Sequence, residues 1–265
     1  LKQNGQRQVA LQSLVEAANN GRVDRIATIL DANPGIINER GGDGTRTALH
    51  FASFEGHTDA ISLLLQRGAD PNIRCVGDNG YPLHFAAEHG DLRAVELLVT
   101  HGADINGYGD VHGMDVIGWA CVFRDPIHTH VVDYLLAHGA KHNIFSAVSC
   151  GDTRAIRSLA TEKPDIINKG MERWEDGRSP LHQALIKRQA DAVVALLDLG
   201  ADLDAADTDG LTPLDLAAIL GETEIASLLI ERGSPIDLPA ALALGRAGDI
   251  DRLMTADPDG LKPGN

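Results

Sequence analysis

Short apolar segments and turn residues alternate along the chain with a period of about 33 residues. The segment 81–90 reads YPLHFAAEHG, and 47–52 repeats its pattern one such period upstream. The pattern returns at 179–182 and, one period later, at 212–218. Self-similarity of this kind indicates a stack of repeated supersecondary units. Such a stack favours a binding surface over a catalytic pocket.

The repeated residues act as start and stop signals for helices. Thr212 can accept a hydrogen bond from a free amide in the first helical turn, and Pro213 then occupies a position that needs no donor. Thr47 and Ser179 hold the position of Thr212 in other units. Gly90 can adopt the left-handed conformation that ends the first helix. A second helix with one apolar side follows, so each unit is predicted as helix, turn, helix and extended finger.

The second half of the unit recurs as regularly as the first. A segment of the Gly-Ala-Asp type follows a Leu-Leu or Leu-Ile pair at 68–72, 102–106, 139–143, 200–204 and 233–237. Together the two halves resemble the ankyrin repeat through nearly the whole chain. The resemblance implies an all-α fold, an α-solenoid of stacked ankyrin repeats whose helix-turn-helix units carry β-hairpin-like fingers.

We predict a single ankyrin-repeat domain over residues 1–265. In a solenoid each unit buries its apolar face only against its neighbours, so chain length does not set the number of domains. Repeats one, five and eight lack the capping tetrapeptide, and repeat five divides the array near residue 144. The repeats span 7–38, 39–72, 73–106, 107–143, 144–168, 169–204, 205–237 and 238–265, the last being incomplete or a C-terminal cap.

Two helix starts depart from the repeated pattern. Asp115 and Val116 replace Thr and Pro in repeat four, and the segment 123–130 is slightly longer than its counterparts. Because Asp can cap a helix, this helix should form with a longer loop behind it. Tyr81 cannot cap as Thr does, so another group should satisfy that helix end.

The charge balance limits the class of partner. The chain has 38 acidic and 23 basic residues, a formal net charge of −15. This argues against nucleic acid, since phosphate backbones are bound mainly by Lys and Arg. Two interpretations of the acidity remain: a well-solvated surface or a basic protein partner.

Cysteine usage and hydropathy bear on the compartment. The three cysteines lack metal-type spacing and give no disulfide framework, which fits a reducing compartment. No apolar run approaches the length of a membrane span, so no membrane insertion is expected. We expect a cytoplasmic chain and favour a monomer. Leu1 at the start also fits a fragment or processed chain, such as one segment of a longer scaffold.

Aromatic residues are concentrated in one region. The resemblance implies partner binding through a concave face formed by fingers and first helices, and six of the ten aromatic residues fall on or beside that face in repeats two to four. Exposed aromatic residues commonly anchor interfaces, and nearby acids would select basic side chains. The predicted partner-binding residues are Asp43, Phe51, Phe54, Glu55, Asp78, Tyr81, Phe85, Glu88, His89, Trp119, Phe123 and Trp174.

The rings allow other interpretations. Some of them could pack between neighbouring first helices, and Trp174 could fold onto its own finger instead of reaching the face. An alternative function is an enzyme or small-ligand binder with an aromatic pocket near repeat four. That pocket would be an enclosed cavity lined by Trp119 and Phe85, with candidate acid-base or nucleophilic groups at Asp115, Glu88, His89, Cys121 and His128. No nucleophile elbow or phosphate loop is present, and Cys121 holds a normally buried position, so we favour a non-enzymatic module with no catalytic residues.

The histidines do not require a metal. The resemblance implies that His50, His84 and His182 serve an inter-repeat hydrogen-bond network, and the last helical turn favours His101 and His138. The unassigned histidines are His112, His128, His130 and His142. His128 and His130 are separated by a single residue, a spacing that does not face one metal from a helix. We expect no metal and no cofactor.

Overall fold

The chain folds into helix pairs. The computed structural model describes residues 2–41, 44–171 and 176–256. Within these ranges it contains sixteen α-helices and one two-stranded hairpin, which confirms the all-α solenoid prediction. Contacts between residues divide the chain into two compact units, 1–146 and 147–265. The prediction of one domain over the whole chain stays a prediction.

Unit 1 stacks its helices in two rows. The first helices α1, α3, α5 and α7 contact one another in chain order, and so do the second helices α2, α4, α6 and α8. The helices are α1 (Lys2–Asn19), α2 (Val23–Ala32), α3 (Ala48–Phe54), α4 (Thr58–Gln66), α5 (Pro82–His89), α6 (Leu92–Thr100), α7 (Val116–Cys121) and α8 (Thr129–Ala137). A finger precedes α3, where β1 (Arg40–Gly41) pairs antiparallel with β2 (Arg46–Thr47).

An imidazole satisfies the start of several first helices. Nδ1 of His84 accepts a hydrogen bond from the backbone N–H of Tyr81 at 3.0 Å, and the first-turn amide of His84, which a Thr hydroxyl would bind, donates to the carbonyl of Tyr81 at 3.0 Å. Nδ1 of His50 likewise accepts from the N–H of Thr47 at 3.2 Å. Asp115 caps α7 as predicted, accepting from the N–H of Gly118 at 2.6 Å.

Asparagines link each finger of unit 1 to the next repeat. Oδ1 of Asn72 accepts from the N–H of Asp104 at 2.7 Å, while its Nδ2 donates to the carbonyl of Gly102 at 2.8 Å. Asn38 and Asn106 accept from the equivalent backbone positions of their neighbours. The linkage changes at Asn143, whose Oδ1 instead accepts from the N–H of Ser146 at 2.8 Å. This change lies next to residue 144, near which repeat five is predicted to divide the array.

Unit 2 repeats the same pairing of helices. Helix α9 (Ile144–Ser149) spans the division between the units, and α11, α13 and α15 contact one another in order. His182 donates from Nε2 to the carbonyl of Leu211 at 2.9 Å, the inter-repeat bond that the resemblance implied. None of the described helices is long and apolar enough to span a bilayer. The helices are α10 (Thr153–Glu162), α11 (Pro180–Ile186), α12 (Ala190–Asp198), α13 (Pro213–Leu220), α14 (Thr223–Glu231), α15 (Leu238–Ala243) and α16 (Ala247–Ala256).

The asparagine linkage predicts a local stability effect. Asn72→Ala removes two hydrogen bonds between repeats, so unit 1 should lose about 1–2 kcal/mol of unfolding free energy. Urea unfolding of a Trp174→Phe chain, followed by Trp119 fluorescence, measures this unit. Gln66→Ala is the control, because the side chain of Gln66 donates within its own helix, to Ser62. Equal losses in both variants would contradict a role for Asn72 in joining repeats.

Candidate functional site

Four of the predicted aromatic residues form a continuous row in unit 1. The ring centroids of Phe54 and Phe85 lie 6.1 Å apart, those of Phe85 and Trp119 lie 5.2 Å apart, and those of Trp119 and Phe123 lie 6.1 Å apart. All three pairs meet edge to face, the arrangement that aromatic quadrupoles favour. Rings from three consecutive repeats therefore converge, as their spacing in the sequence suggested.

The middle of this row is buried. Phe85 is 2% exposed and Trp119 is 4% exposed, whereas Phe54 is 42% exposed. The prediction that Phe85 and Trp119 are exposed anchors is therefore wrong. The physical reason is that finger side chains cover the rings: the guanidinium of Arg46 lies 4.6 Å from the centre of Phe85 and 5.4 Å from that of Phe54.

A buried carboxylate covers Trp119. The indole Nε1 donates to Oδ2 of Asp110 at 2.6 Å, and the N–H of Met114 donates to Oδ1 at 2.7 Å. Burial raises the pKa of Asp110, while the hydrogen bond from Trp119 acts in the opposite direction. The ring of His112 packs edge to face against Trp119 and against Phe123. This part of the row is thus a polar but closed assembly.

A second buried carboxylate holds the start of α7. Asp115 is 1% exposed and accepts from the N–H of Gly118 at 2.6 Å and the N–H of Asn143 at 3.0 Å. Burial raises its pKa to about 7, these hydrogen bonds lower it, and the charge of Asp110 raises it further. Asp115 therefore has a structural environment that water does not reach.

The tetrapeptide histidines differ between repeats two and three. Nε2 of His50 donates to the carbonyl of Gly80 at 3.3 Å, whereas Nε2 of His84 lies near the backbone of Gly107 and makes no hydrogen bond of normal geometry within the described residues. The ring of His84 lies against Gly107, whose φ of +61° and missing side chain permit this approach. Burial, with a contribution from the charge of Arg74, lowers the pKa of His84 to about 3. The finger of repeat four is therefore irregular where it meets repeat three.

The remaining aromatic and histidine positions have mixed exposure. Tyr81 is half-buried beneath the guanidinium of Arg74, which lies 4.1 Å from the ring centre. Phe51 and Phe123 are also half-buried. His89 is exposed, and its imidazole lies against Gly56, in the turn between α3 and α4. Trp174 lies outside the described residues.

The predicted acidic positions are partly engaged. Asp78 pairs with Arg46 at 3.0 Å, and Glu88 pairs with Arg124 at 3.1 Å. Glu55 is exposed at the end of α3. Asp43 lies outside the described residues. Because two carboxylates already face guanidinium groups, their attraction for a basic partner is reduced.

The alternative aromatic pocket is filled by the protein itself. Phe85 and Trp119, which were to line it, pack against each other, and Cys121 is fully buried. His128 donates from Nε2 to the carbonyl of Glu88 at 3.2 Å, so its ring serves a contact between repeats. No group of three or more metal-ligating side chains is arranged to hold an ion in the described ranges.

The sequence interpretation missed the arginines and apolar side chains of the fingers. Arg46 and Arg74 lie over rings, and Asp110 binds Trp119. The sequence did contain a sign of two of these arginines. Arg40 and Arg74 are separated by one repeat period and hold the same place in successive fingers. The missed exposed side chains are Val76, Tyr108 and Val111, at 56%, 54% and 40% exposure.

Comparison with known proteins identifies the family. A family model described as ankyrin repeats (3 copies) matches residues 3–75 and 144–240, and one described as ankyrin repeats (many copies) matches 52–99. The chain therefore belongs to the ankyrin repeat family. Its repeats make it a protein-interaction module.

Curated relatives carry the similarity into longer proteins. A probable E3 ubiquitin-protein ligase of Oryza sativa subsp. japonica, XBOS32, is 25% identical over 213 residues, 77% of this chain and 41% of that protein. Protein PhlB of Serratia liquefaciens is 34% identical over 123 residues, 43% of this chain and 52% of that protein. The palmitoyltransferase ZDHHC13 of Homo sapiens is 32% identical over 201 residues, 76% of this chain and 27% of that protein. The chain spans about half or less of each of these relatives.

The contact between Trp119 and Asp110 predicts a pH-dependent loss of stability. Trp119→Phe removes the Nε1 donor from a buried carboxylate and should cost about 1–3 kcal/mol at neutral pH. This loss of unfolding free energy should shrink below pH about 4, where the carboxyl of Asp110 is protonated in both the folded and the unfolded protein. Urea unfolding followed by far-UV circular dichroism measures both conditions. Phe123→Leu is the control without a hydrogen bond, and an equal cost of Trp119→Phe at both pH values would indicate lost packing alone.

The environment of Asp115 predicts a second pH effect. Because its pKa is about 7 when folded, the folded protein binds this proton more tightly than the unfolded chain does. The unfolding free energy relative to Asp115→Asn should therefore fall by roughly 4 kcal/mol as pH rises from about 4 to about 7, and then level off. Urea titrations of both proteins across this range test it. Parallel profiles would show that the carboxyl titrates normally.

Proposed function

We propose that unit 1 binds a protein or peptide through the finger side of repeats two to four. The surface, here called the finger-side face, consists of Phe54, Val76, Tyr108 and Val111 together with Arg40, Arg46 and Arg74. One observation carries the proposal. Four of the nine large apolar side chains that are exposed in the described residues belong to this face. Exposed apolar groups that cluster on one face tend to mark interaction sites.

Phe54 is the proposed anchor of the contact. One side of its ring meets Phe85 and the guanidinium of Arg46, which hold its position, while 42% of the residue stays exposed. A side chain that is already held loses little conformational entropy when a partner covers it. Aromatic anchors of this kind dominate the binding energy of many interfaces.

The relatives support recognition as the shared role. Their names include a probable ubiquitin ligase and a palmitoyltransferase, whose chemistries differ, while the part they share with this chain is the repeat array. Fold alone does not identify a partner, so the proposal rests on the surface of this chain. We place this binding in the cytoplasm and assign it to the monomer.

The exposed anchor can be tested with a matched position in unit 2. Ile219 holds the place of Phe54 in repeat seven and is 64% exposed. Proteins captured from a lysate by the intact chain are quantified, and the same capture is repeated with Phe54→Ala and with Ile219→Ala. The captured amount of the protein that binds the finger-side face should fall about tenfold with Phe54→Ala and stay unchanged with Ile219→Ala.

Both variants should keep the far-UV circular dichroism of the intact chain, since both residues are exposed. If the captured amount falls with Ile219→Ala and is unchanged with Phe54→Ala, the proposal for unit 1 is contradicted and the binding surface lies in unit 2.

A further inference from the structure

The fingers of repeats two and three carry a ladder of guanidinium groups. Nη2 of Arg40 donates to the carbonyl of Arg74 at 2.7 Å. Arg74, at the same place one repeat later, donates from Nη2 to the carbonyl of Tyr108 and from Nη1 to the carbonyl of Asn79 at 2.6 Å. Each guanidinium is thereby fixed at the edge of the next finger.

Neutral carbonyl groups hold the guanidinium groups of this ladder. Within the described residues, the carboxylates form no ion pair with Arg40 or Arg74, whereas Arg46 between them pairs with Asp78. The charges of Arg40 and Arg46 help to lower the pKa of His50, after the larger effect of burial, and Arg74 acts in the same way on His84. The two guanidinium groups therefore place positive charge on the finger-side face of a chain that is acidic overall.

Apolar side chains lie on the same fingers as the arginines. Val76 follows Arg74 closely in the same finger, and Tyr108 holds the place of Arg74 in repeat four. Backbone bonds fix the fingers relative to one another: the N–H of Val76 donates to the carbonyl of Thr45 at 2.9 Å, and that of Val111 to the carbonyl of Asp78 at 3.0 Å. Fixed charges therefore alternate with exposed apolar groups on one rigid surface.

We infer that the partner of the finger-side face is an extended acidic peptide segment, whose carboxylates pair with Arg40 and Arg74 while its apolar side chains contact Phe54, Val76 and Tyr108. This inference rests on the proposed function and reverses the basic preference expected from the acids. A guanidinium has five N–H donors, so those that the carbonyls do not engage can donate to a carboxylate. Stacked helices lie roughly 10 Å apart. An extended chain rises about 3.3 Å per residue, so the two carboxylates should be about three residues apart.

A peptide fits this surface better than a nucleic acid. Phosphate backbones are held by many basic side chains, and the chain carries a formal net charge of −15. The exposed apolar side chains between the arginines also suit a peptide that has apolar residues between its acids. The two carboxylates of the proposed peptide, by contrast, need only the guanidinium groups of Arg40 and Arg74.

The inference is tested by selecting peptides from a phage-displayed random library on the intact chain. The enriched sequences should carry Asp or Glu about three residues apart with apolar residues between them. A synthetic peptide of the enriched sequence is then titrated by fluorescence polarisation. Its affinity should fall about tenfold with Arg40→Gln and with Arg74→Gln, and it should weaken with added salt.

Two further variants separate charge from structure. Arg93→Gln removes an equally charged side chain that is 71% exposed on α6, and it should leave the affinity within about twofold. Arg74→Lys keeps the charge but loses the fork that spans two carbonyls, so it should retain more affinity than Arg74→Gln. Equal damage from Lys and Gln would overturn the inference, because it would show that Arg74 only holds the finger.

The remaining outcomes distinguish this inference from the proposed function. Neutral or basic enriched peptides whose binding depends on Phe54 would overturn the acidic preference and leave the proposed function standing. If the enriched peptides bind the Phe54→Ala variant with unchanged affinity, or if no peptide is enriched, both the acidic preference and the proposed function are overturned. A short single-stranded DNA that binds through Arg74 more tightly than the peptide would replace the carboxylate with a phosphate.

Discussion

Close contact between successive first helices is the constraint on which the rest of unit 1 depends. Ala52, Ala86 and Ala120 are completely buried, and their small side chains let these helices approach one another. Rings that are distant in sequence, from three successive repeats, then meet at 5.2–6.1 Å. The same approach brings each finger over the helix beside it, so the arginines and Asp110 cover rings that would otherwise face water.

Several polar side chains in this stack find partners in a neighbouring repeat. Asn72, in repeat two, bonds to the backbone of repeat three, and His50 bonds to the carbonyl of Gly80 in the finger of repeat three. Both side chains therefore join neighbouring repeats. A nearest-neighbour arrangement of this kind makes stability a sum of local interfaces. In repeat four, Asp110 instead bonds to Trp119 of its own repeat. The two carboxylates whose pKa burial raises, Asp110 and Asp115, both lie in this repeat.

The finger side of unit 1 combines guanidinium groups in fixed positions with exposed apolar side chains. Guanidinium groups are held by neutral carbonyls, which fix their positions without cancelling their charge. Apolar side chains remain exposed next to them, at the cost of contact with water. A partner that supplies carboxylates and apolar surface would satisfy both at once, and the rigidity of the fingers lowers the entropy lost on binding.

The sequence by itself determined the repeat, the helix starts and the row of rings. The repeat period and the capping residues act locally, so they could be recognised from the order of residues alone. The missing cap at Tyr81 was also visible, although the bond from the amide of His84 to the carbonyl of Tyr81 that takes its place was not. Only the tertiary structure decided which rings are exposed, because the covering groups come from fingers that contact neighbouring repeats. Arg46 covers Phe85, Asp110 covers Trp119, and the carbonyl of Tyr108 holds the guanidinium of Arg74. Stacking and the path of the fingers bring these residues together.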